Sequence, residues 1–74
     1  MPTPVDGRLY RIGTGPAGPL PFLFACRRDD ENGRWILRID FDSMVFTVED
    51  SDPLKRVLIR GKPSGFTTAD IAGF

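Results

Sequence analysis

The side chains that most often carry chemistry in proteins are scarce in this chain. It has no histidine and a single cysteine, Cys26, among 74 residues. Without histidine the usual general base is missing, and Cys26 stands in an apolar alternating segment that predicts a buried, unreactive thiol. No serine in the sequence stands beside a plausible activating group for a nucleophile. The sequence therefore predicts a protein that is not an enzyme.

Carboxylates are concentrated in one segment, where they could in principle hold a divalent cation. Residues 40–52 carry five acids and no base: Asp40, Asp42, Glu49, Asp50 and Asp52. Their spacing fits no calcium-binding loop, and acids beside turns are usually solvated. We therefore expect no metal ion and no cofactor.

A glycine-rich segment follows the first strand candidate. The residues from Gly13 to Gly18 read Gly-Thr-Gly-Pro-Ala-Gly, and Asp40 follows about twenty residues later. This stretch resembles the fingerprint of two-dinucleotide-binding flavoproteins, in which the glycines let a helix amino terminus approach a pyrophosphate. The resemblance implies a helix over residues 19–31. Pro21 and the aromatic residues after it favour a strand there, so we interpret the segment as a surface loop.

A second resemblance lies in the segment from Ile36 to Asp42. A strand followed by Asp40 and Asp42 is similar to the Asp-x-Asp opening of haloacid-dehalogenase phosphotransferases, in which the first Asp is the nucleophile. That family implies a large α/β domain with further Lys and Asp motifs that hold Mg²⁺, and the remaining residues supply none of them. We interpret Asp40 as a solvent-facing strand residue and Asp42 as a turn former.

The clearest structural signal is a pair of alternating apolar segments between residues 34 and 50. Alternation with period two is typical of half-buried strands. A two-residue turn at 42–43 would pair Ile39 with Phe46 and Leu37 with Val48, which places both segments on one face. The predicted core of this hairpin is Trp35, Leu37, Ile39, Phe41, Met44, Phe46 and Val48.

Further strands are predicted on both sides of this hairpin. Residues 9–12 form a short strand candidate, residues 22–28 a strand that begins apolar on both faces, and residues 56–60 a last strand. The fold class is therefore mainly β: a small antiparallel meander of about five strands, curled into a sheet or a partly open barrel.

The loop between the second and third strands decides their register. A two-residue loop would place Arg27 opposite Arg38, a like-charge pair that destabilises a sheet. A loop over residues 30–33 avoids this pair and lays Arg28 across Trp35 in a cation–π contact. We predict the longer loop.

The two ends of the chain differ in character. Residues 1–7 hold two prolines and a glycine, which predicts a flexible lead-in. Residues 67–74 combine capping and apolar residues, which predicts a short helical turn near residues 68–72. That turn would dock Ile71 and Phe74 on the sheet or on a partner. We expect the whole chain to form one small domain.

The charge of the chain does not favour one class of partner. Ten basic and ten acidic side chains cancel, so there is no global attraction to nucleic acid or to anionic membranes. The longest apolar run, residues 20–26, is far shorter than a bilayer span, and the amino terminus lacks the pattern of a signal peptide. A lone cysteine fits a reducing setting, so we expect a cytoplasmic protein without membrane contacts.

The first functional hypothesis is a small non-enzymatic protein-binding module. It would act as a regulator, an inhibitor or an accessory subunit through an exposed strand edge and surplus apolar surface. A homodimer is one form of this contact, because so thin a core leaves apolar side chains uncovered. The candidate binding residues are Tyr10, Phe22, Phe24, Arg28, Arg56, Arg60, Phe66 and Phe74.

The alternative hypothesis is an oligonucleotide-binding small β-barrel. Tyr10 or Trp35 would offer a stacking platform, and a row of cations would follow the phosphate backbone. The cations are Arg8, Arg11, Arg56, Arg60 and Lys62. The zero net charge makes nucleic acid the less favoured partner.

Overall fold

The structure, a computed structural model, describes residues 4–13, 22–39 and 44–74. Six antiparallel strands form one curled half-barrel sheet in sequence order, which confirms the predicted β meander. The strands are β1 (Leu9–Arg11), β2 (Leu23–Asp29), β3 (Arg34–Arg38), β4 (Val45–Glu49), β5 (Arg56–Ile59) and β6 (Lys62–Thr67). A 3-10 turn, Thr68–Asp70, follows β6. None of the described residues belongs to a helix with the length and apolarity that a membrane span requires.

The predicted register between β2 and β3 is confirmed. Asp29 lies opposite Arg34 and Arg28 opposite Trp35, which leaves residues 30–33 as the loop. The Cζ atom of Arg28 lies 5.0 Å from the centroid of the Trp35 ring, so the cation–π contact is also present. The like-charge pair is avoided because Arg27 faces an isoleucine across the ladder.

The predicted register between β3 and β4 is wrong by two residues. Leu37 lies opposite Phe46 instead of Val48, and Trp35 lies opposite Val48. The observed register matches apolar with apolar side chains and places Arg34 opposite Glu49, whereas the predicted one would have set Trp35 against an acid. An even shift keeps every side chain on its predicted face. The predicted turn at 42–43, with Phe41, lies outside the described residues.

One face of the sheet carries the core, as the alternation predicted. Leu37, Ile39, Phe46 and Val48 are buried there, and Trp35 and Met44 pack against them while staying partly exposed. β1 and β2 add further side chains to the same cluster, and the rings of Phe24 and Phe46 meet edge to face with centroids 5.3 Å apart.

The C-terminal tail closes part of the half-barrel, so its predicted docking on the sheet is confirmed. Ile71 forms an antiparallel bridge with Ile12 and is buried. Phe74 is also buried, with its ring edge to face against Tyr10 at 5.3 Å and against Trp35 at 6.3 Å. The turn before them begins where the backbone amide of Thr67 donates to the Asp70 carboxylate at 2.9 Å.

β6 is a strand that the sequence did not predict, because glycine and proline in residues 61–66 indicated a flexible segment. Arg60 and Gly61 both have positive φ, 53° and 76°, which is the geometry of a two-residue type I′ hairpin turn. Pro63 is tolerated because β6 lies at the edge of the sheet. A bulge follows, where the Ser64 hydroxyl donates to the carbonyl of Val57 at 2.5 Å.

The described part of the lead-in is hydrogen-bonded to the sheet. The amide of Gly7 donates to the carbonyl of Cys26 at 2.8 Å, and the amide of Val5 donates to the Tyr10 hydroxyl at 2.9 Å. The Asp6 carboxylate accepts from the backbone amide of Arg28 at 3.1 Å. These bonds hold the start of the chain against β1 and β2.

Phe46→Ala should remove the central ring of the core. Phe46 is 4% exposed, so we expect the free energy of unfolding to fall by about 3–5 kcal/mol. Urea unfolding followed by Trp35 fluorescence measures the change. Leu54→Ala is the matched control, because Leu54 is 66% exposed and its loss should change stability by less than about 0.5 kcal/mol. Equal effects of the two substitutions would contradict the assignment of the core face.

Arg60→Asn should stabilise the β5–β6 hairpin. Arg60 has a φ of 53°, and asparagine adopts this left-handed conformation more readily than arginine. We expect the free energy of unfolding, obtained from thermal unfolding, to rise by about 0.5–1 kcal/mol. Arg60→Val is the opposing variant, because a β-branched side chain disfavours positive φ. A valine variant as stable as the asparagine variant would rule out the type I′ turn.

Candidate functional site

Several residues predicted as binding residues belong to the core. Tyr10, Phe24 and Phe74 are 4%, 0% and 8% exposed, so their rings offer almost no surface to a partner. Phe22 and Phe66 are partly buried and pack against the same cluster. These aromatic side chains contribute to stability rather than to an open surface.

Arg28 is engaged inside the molecule. Its Nε donates to Asp30 at 2.9 Å, its Nη1 donates to Asp50 at 3.0 Å, and Nη2 makes a second contact with Asp50. The same guanidinium lies over Trp35. Hydrogen bonding from Arg28 holds the pKa of the Asp50 carboxyl below its ordinary value. We call Arg28, Trp35, Asp30 and Asp50 the Arg28 clasp, because it ties β2, the β2–β3 loop and the turn after β4 together.

Arg56 is also engaged, while Arg60 is exposed. Arg56 Nε donates to Asp52 at 2.9 Å, and Asp52 further accepts from the backbone amides of Leu54 and Arg56. The hydrogen bond from Arg56 lowers the pKa of Asp52, whose side chain organises the turn before β5. Arg60 is exposed at the β5–β6 turn. The structure therefore does not bring the predicted binding residues together in one site.

An open pocket of about 160 Å³ lies beside the Arg28 clasp. Its floor is apolar and its rim is charged. The lining residues are Pro4, Trp35, Val48, Glu49, Asp50, Lys55, Thr68 and Phe74. Sites for small molecules and cofactors usually enclose about 300–1,000 Å³, so this pocket is suited to no more than one side chain.

The titratable side chains of the described residues show no arrangement that would bind a metal ion. Within the described ranges, no three side chains of the types that ligate metals lie close enough to hold one, and Asp40 and Asp42 fall outside those ranges. Cys26 is fully buried, and burial, with a smaller effect of the Asp6 charge, raises the pKa of its thiol to about 11. The thiol is therefore protonated at neutral pH and is a poor nucleophile.

The surface with the most unusual composition is the side of the sheet opposite the core. Cross-strand partners share a face, so the pairing of Leu9, Ala25, Arg38 and Val45 places these side chains in one row across β1 to β4. A parallel row pairs Arg27 with Ile36, and Arg11 pairs with Leu23. We call this surface the outer face: Leu9, Arg11, Leu23, Ala25, Arg27, Ile36, Arg38 and Val45.

The outer face exposes aliphatic side chains. Leu9 is 57% and Leu23 48% exposed, although both lie within strands, and Ala25, Ile36 and Val45 are half-buried. Strand residues on a solvated face are normally polar, because alternation places the apolar ones against the core. These aliphatic side chains therefore form a patch that the fold itself does not cover.

The outer face also carries unpaired positive charge. Arg11, Arg27 and Arg38 are exposed, and none of them forms an ion pair with an acid among the described residues. The nearest acid along β2, Asp29, is already bound to Arg34 at 2.9 Å. Asp29 lies on the same face two residues beyond Arg27, about 7 Å along the strand, in a cross-strand row with Arg34 and Glu49 that borders the patch on that side. The patch is therefore aliphatic with a basic border.

The outer face is a site that the sequence did not predict. The start of β2 is apolar on both faces, but the aromatic side chains predicted to bind a partner belong to the core or pack against it. The signal that could have revealed the site is the alternation itself, because Leu9, Leu23 and Ile36 are apolar at positions where a solvated face calls for polar residues.

Asp50→Asn should lower stability at neutral pH and have less effect in acid. Because folding depresses the pKa of Asp50, its contribution is present above the ordinary carboxyl pKa of about 3.9 and is lost as the pH falls through the folded value. Thermal unfolding by circular dichroism from about pH 7 to pH 3 measures this trend. Glu31→Gln, at an exposed position, is the control. If the melting temperature of the Asp50→Asn variant stayed below that of the wild type by the same amount across this pH range, the ion pair of Asp50 with Arg28 would be contradicted.

Comparisons of the chain with protein-family models, with curated proteins and with solved structures find no match.

Proposed function

We propose that the protein is a small non-enzymatic protein-binding module that binds an acidic, partly apolar partner on its outer face. The observation that carries this proposal is the pair of exposed leucines, Leu9 and Leu23, beside three arginines that form no ion pair with any acid in the described ranges. Apolar patches bordered by polar residues are typical of protein interaction sites. A regulator, an inhibitor or an accessory subunit would use such a surface.

The distribution of charge favours an acidic partner over a second copy of the chain. In a two-fold dimer through the outer face, the same patch of each copy meets itself. Arg27 and Arg38 would then face the same pair of arginines across a partly desolvated interface, and like charges there are costly. The homodimer hypothesised from the sequence would have to use another surface.

The alternative, oligonucleotide binding, has less support. Tyr10 is buried, and Trp35 lies on the core face in contact with Arg28 and Phe74, so neither ring lies on the outer face with its arginines. Arg56 is engaged by Asp52. Base stacking supplies much of the affinity for single strands, and the outer face presents aliphatic rather than aromatic side chains.

The proposed setting is the reducing cytoplasm. Cys26 is a free thiol that is fully buried in the core cluster. A single cysteine that packs as a small apolar side chain is what a protein of a reducing compartment can carry without risk of wrong pairing.

Capture of the partner from a lysate of the native host, with the chain immobilised, tests the proposal. Arg27→Glu combined with Arg38→Glu should reduce capture roughly tenfold, because both charges on the outer face are reversed. The matched control reverses Arg60 and Lys62, which lie at the β5–β6 turn. Circular dichroism confirms that both variants fold.

The apolar part of the surface is tested in the same way. Leu23→Ser should weaken capture, whereas Leu54→Ser, at a more exposed position in the β4–β5 turn, should not. Capture that survives the outer-face variants but is lost on reversal of Arg60 and Lys62 would contradict the proposal and support a phosphate-binding surface instead.

A further inference from the structure

We infer that the pocket beside the Arg28 clasp binds the side chain of one tyrosine that a partner protein presents. The volume of the pocket, about 160 Å³, is close to that of an apolar cavity of roughly 150 Å³ that holds one benzene molecule. Trp35 and Val48 line the pocket from the core side of the sheet. The pocket is therefore a second binding site, separate from the outer face, and this inference goes beyond the proposed function.

The floor of the pocket is suited to an aromatic ring. Trp35 and Phe74 meet edge to face, with ring centroids 6.3 Å apart and an angle of 77° between the planes. Val48 and Phe74 are buried members of the core cluster, so this floor is held in place by the core. Aromatic rings pack favourably on other rings in edge-to-face or offset arrangements. A third ring that enters the pocket therefore meets surfaces that match it.

The rim of the pocket combines hydrogen-bond acceptors and donors. Asp50, Lys55 and Thr68 contribute to it from the turn after β4, the turn before β5 and the 3-10 turn. The Asp50 carboxylate accepts two bonds from Arg28, which orient it, and it keeps lone pairs for a further donor. The Lys55 ammonium donates, and the Thr68 hydroxyl does both. Glu49 borders the pocket as well, but strand alternation places its side chain on the outer side of the sheet.

A neutral ring with a hydroxyl group matches this rim better than a charged group. Hydrogen bonding from Arg28 is the main reason that the pKa of Asp50 is low, and the nearby charge of Lys55 lowers it further. A charged group in the pocket would meet a like charge at the rim, whichever sign it carried. A phenol hydroxyl can donate to Asp50 and accept from Lys55 while its ring lies on the apolar floor. A ring without the hydroxyl would desolvate these polar groups without giving them a partner.

The backbone of Lys55 provides a clean way to test the rim. Lys55 has a φ of 52°, a left-handed conformation that asparagine adopts more readily than lysine. Its amide donates to the carbonyl of Asp52 at 3.2 Å, and its carbonyl accepts from the amide of Thr68 at 3.0 Å. Lys55→Asn removes the ammonium and eases the backbone at the same time. The variant should therefore keep the fold while it loses one polar group of the rim.

Other segments of the chain are the first alternative occupants. Residues 14–21 and 40–43 join the described chain at Gly13, Phe22, Ile39 and Met44, none of which lines the pocket. Residues 1–3 directly precede Pro4, which does line it. The experiment therefore includes a variant from which residues 2–3 are deleted.

A second copy of the chain is the other alternative occupant. The chain has one tyrosine, Tyr10, and this side chain is buried, so a second copy presents no phenol. Leu54 is 66% exposed beside Lys55 and is the described side chain that a second copy would insert. Sedimentation of the wild type and of Leu54→Ser tests this occupant. A dimer that is lost on Leu54→Ser would overturn the assignment of the pocket to a partner's tyrosine.

The probe is p-cresol, the tyrosine side chain as a free molecule, titrated into the isotope-labelled full chain. The indole N–H of Trp35, the one tryptophan of the chain, reports on the pocket. We expect saturable shifts there and at the amides of Thr68 and Phe74. Toluene, which lacks the hydroxyl, should bind about threefold to tenfold more weakly. Equal binding of toluene, or tighter binding of p-toluate or p-methylbenzylammonium, would overturn the assignment to tyrosine.

The variants test the same assignment from the side of the protein. Lys55→Asn should weaken the binding of p-cresol about threefold to tenfold without lowering the melting temperature. Lys62→Asn, at an exposed position of β6, is the matched control and should leave the affinity unchanged. Equal affinities of the two variants would contradict the role of Lys55. The comparison of p-cresol with toluene leaves the protein unchanged, so it decides the question even if Lys55→Asn fails to fold.

The remaining arms separate a partner protein from other occupants. Deletion of residues 2–3 should not change the affinity for p-cresol, and a gain of about tenfold or more would assign the pocket to that segment instead. A capped Gly-Gly-Tyr-Gly-Gly peptide should shift the same Trp35 signal, and its failure to do so would contradict a tyrosine carried by a protein. Arg27→Glu with Arg38→Glu should bind p-cresol as the wild type does, so this inference and the proposed function fail independently.

Discussion

The contact of Arg28 with Trp35 determines which residues of β2 and β3 lie opposite each other in this small sheet. A guanidinium 5.0 Å from the ring centroid, bonded at the same time to Asp30 and Asp50, fixes the pairing of β2 with β3. In that register Cys26 faces Leu37 on the core side. The same register places Arg27 opposite Ile36 on the other side of the sheet, so it sets which side chains are neighbours on the core face and on the outer face.

A sheet with one core leaves its other face to solvent, and here that face is partly aliphatic. Full burial of a leucine side chain contributes about 1.5–3 kcal/mol, and Leu9 and Leu23 each retain about half of their exposure. Exposed ion pairs contribute about 0–1 kcal/mol each. A partner on the outer face would therefore gain most of its affinity from the leucines, while the arginines would select its charge and speed its approach.

The faces of the sheet could be predicted from the sequence because a period of two is insensitive to the length of the turns. Any even shift preserves the faces, which is why the β3–β4 register could be wrong by two residues while Leu37, Ile39, Phe46 and Val48 remained in the core. The β2–β3 register was predictable because the alternative, with a two-residue loop, would have placed Arg27 opposite Arg38.

Other features could not be predicted because the local signals pointed elsewhere. β6 contains Pro63 and Gly65, which usually interrupt strands, and the turn before it places Arg60 where asparagine is expected. The outer face was not predicted, because the sequence shows the order of charges along the chain and not their neighbours across the strands. Arg11, Arg27 and Arg38 are distant in sequence and come to lie on one face only through the pairing of β1, β2 and β3.

The directions of the pKa shifts indicate how the protein uses its charges. Hydrogen bonds from arginine or from asparagine lower the pKa values of Asp29, Asp50 and Asp52, and burial raises that of Cys26. General acid–base catalysis favours groups whose pKa is shifted towards neutrality, and all of these shifts lead away from it. These carboxylates hold turns and strands together. Among the described residues, none of the ion pairs that contribute to this cohesion includes Arg11, Arg27 or Arg38.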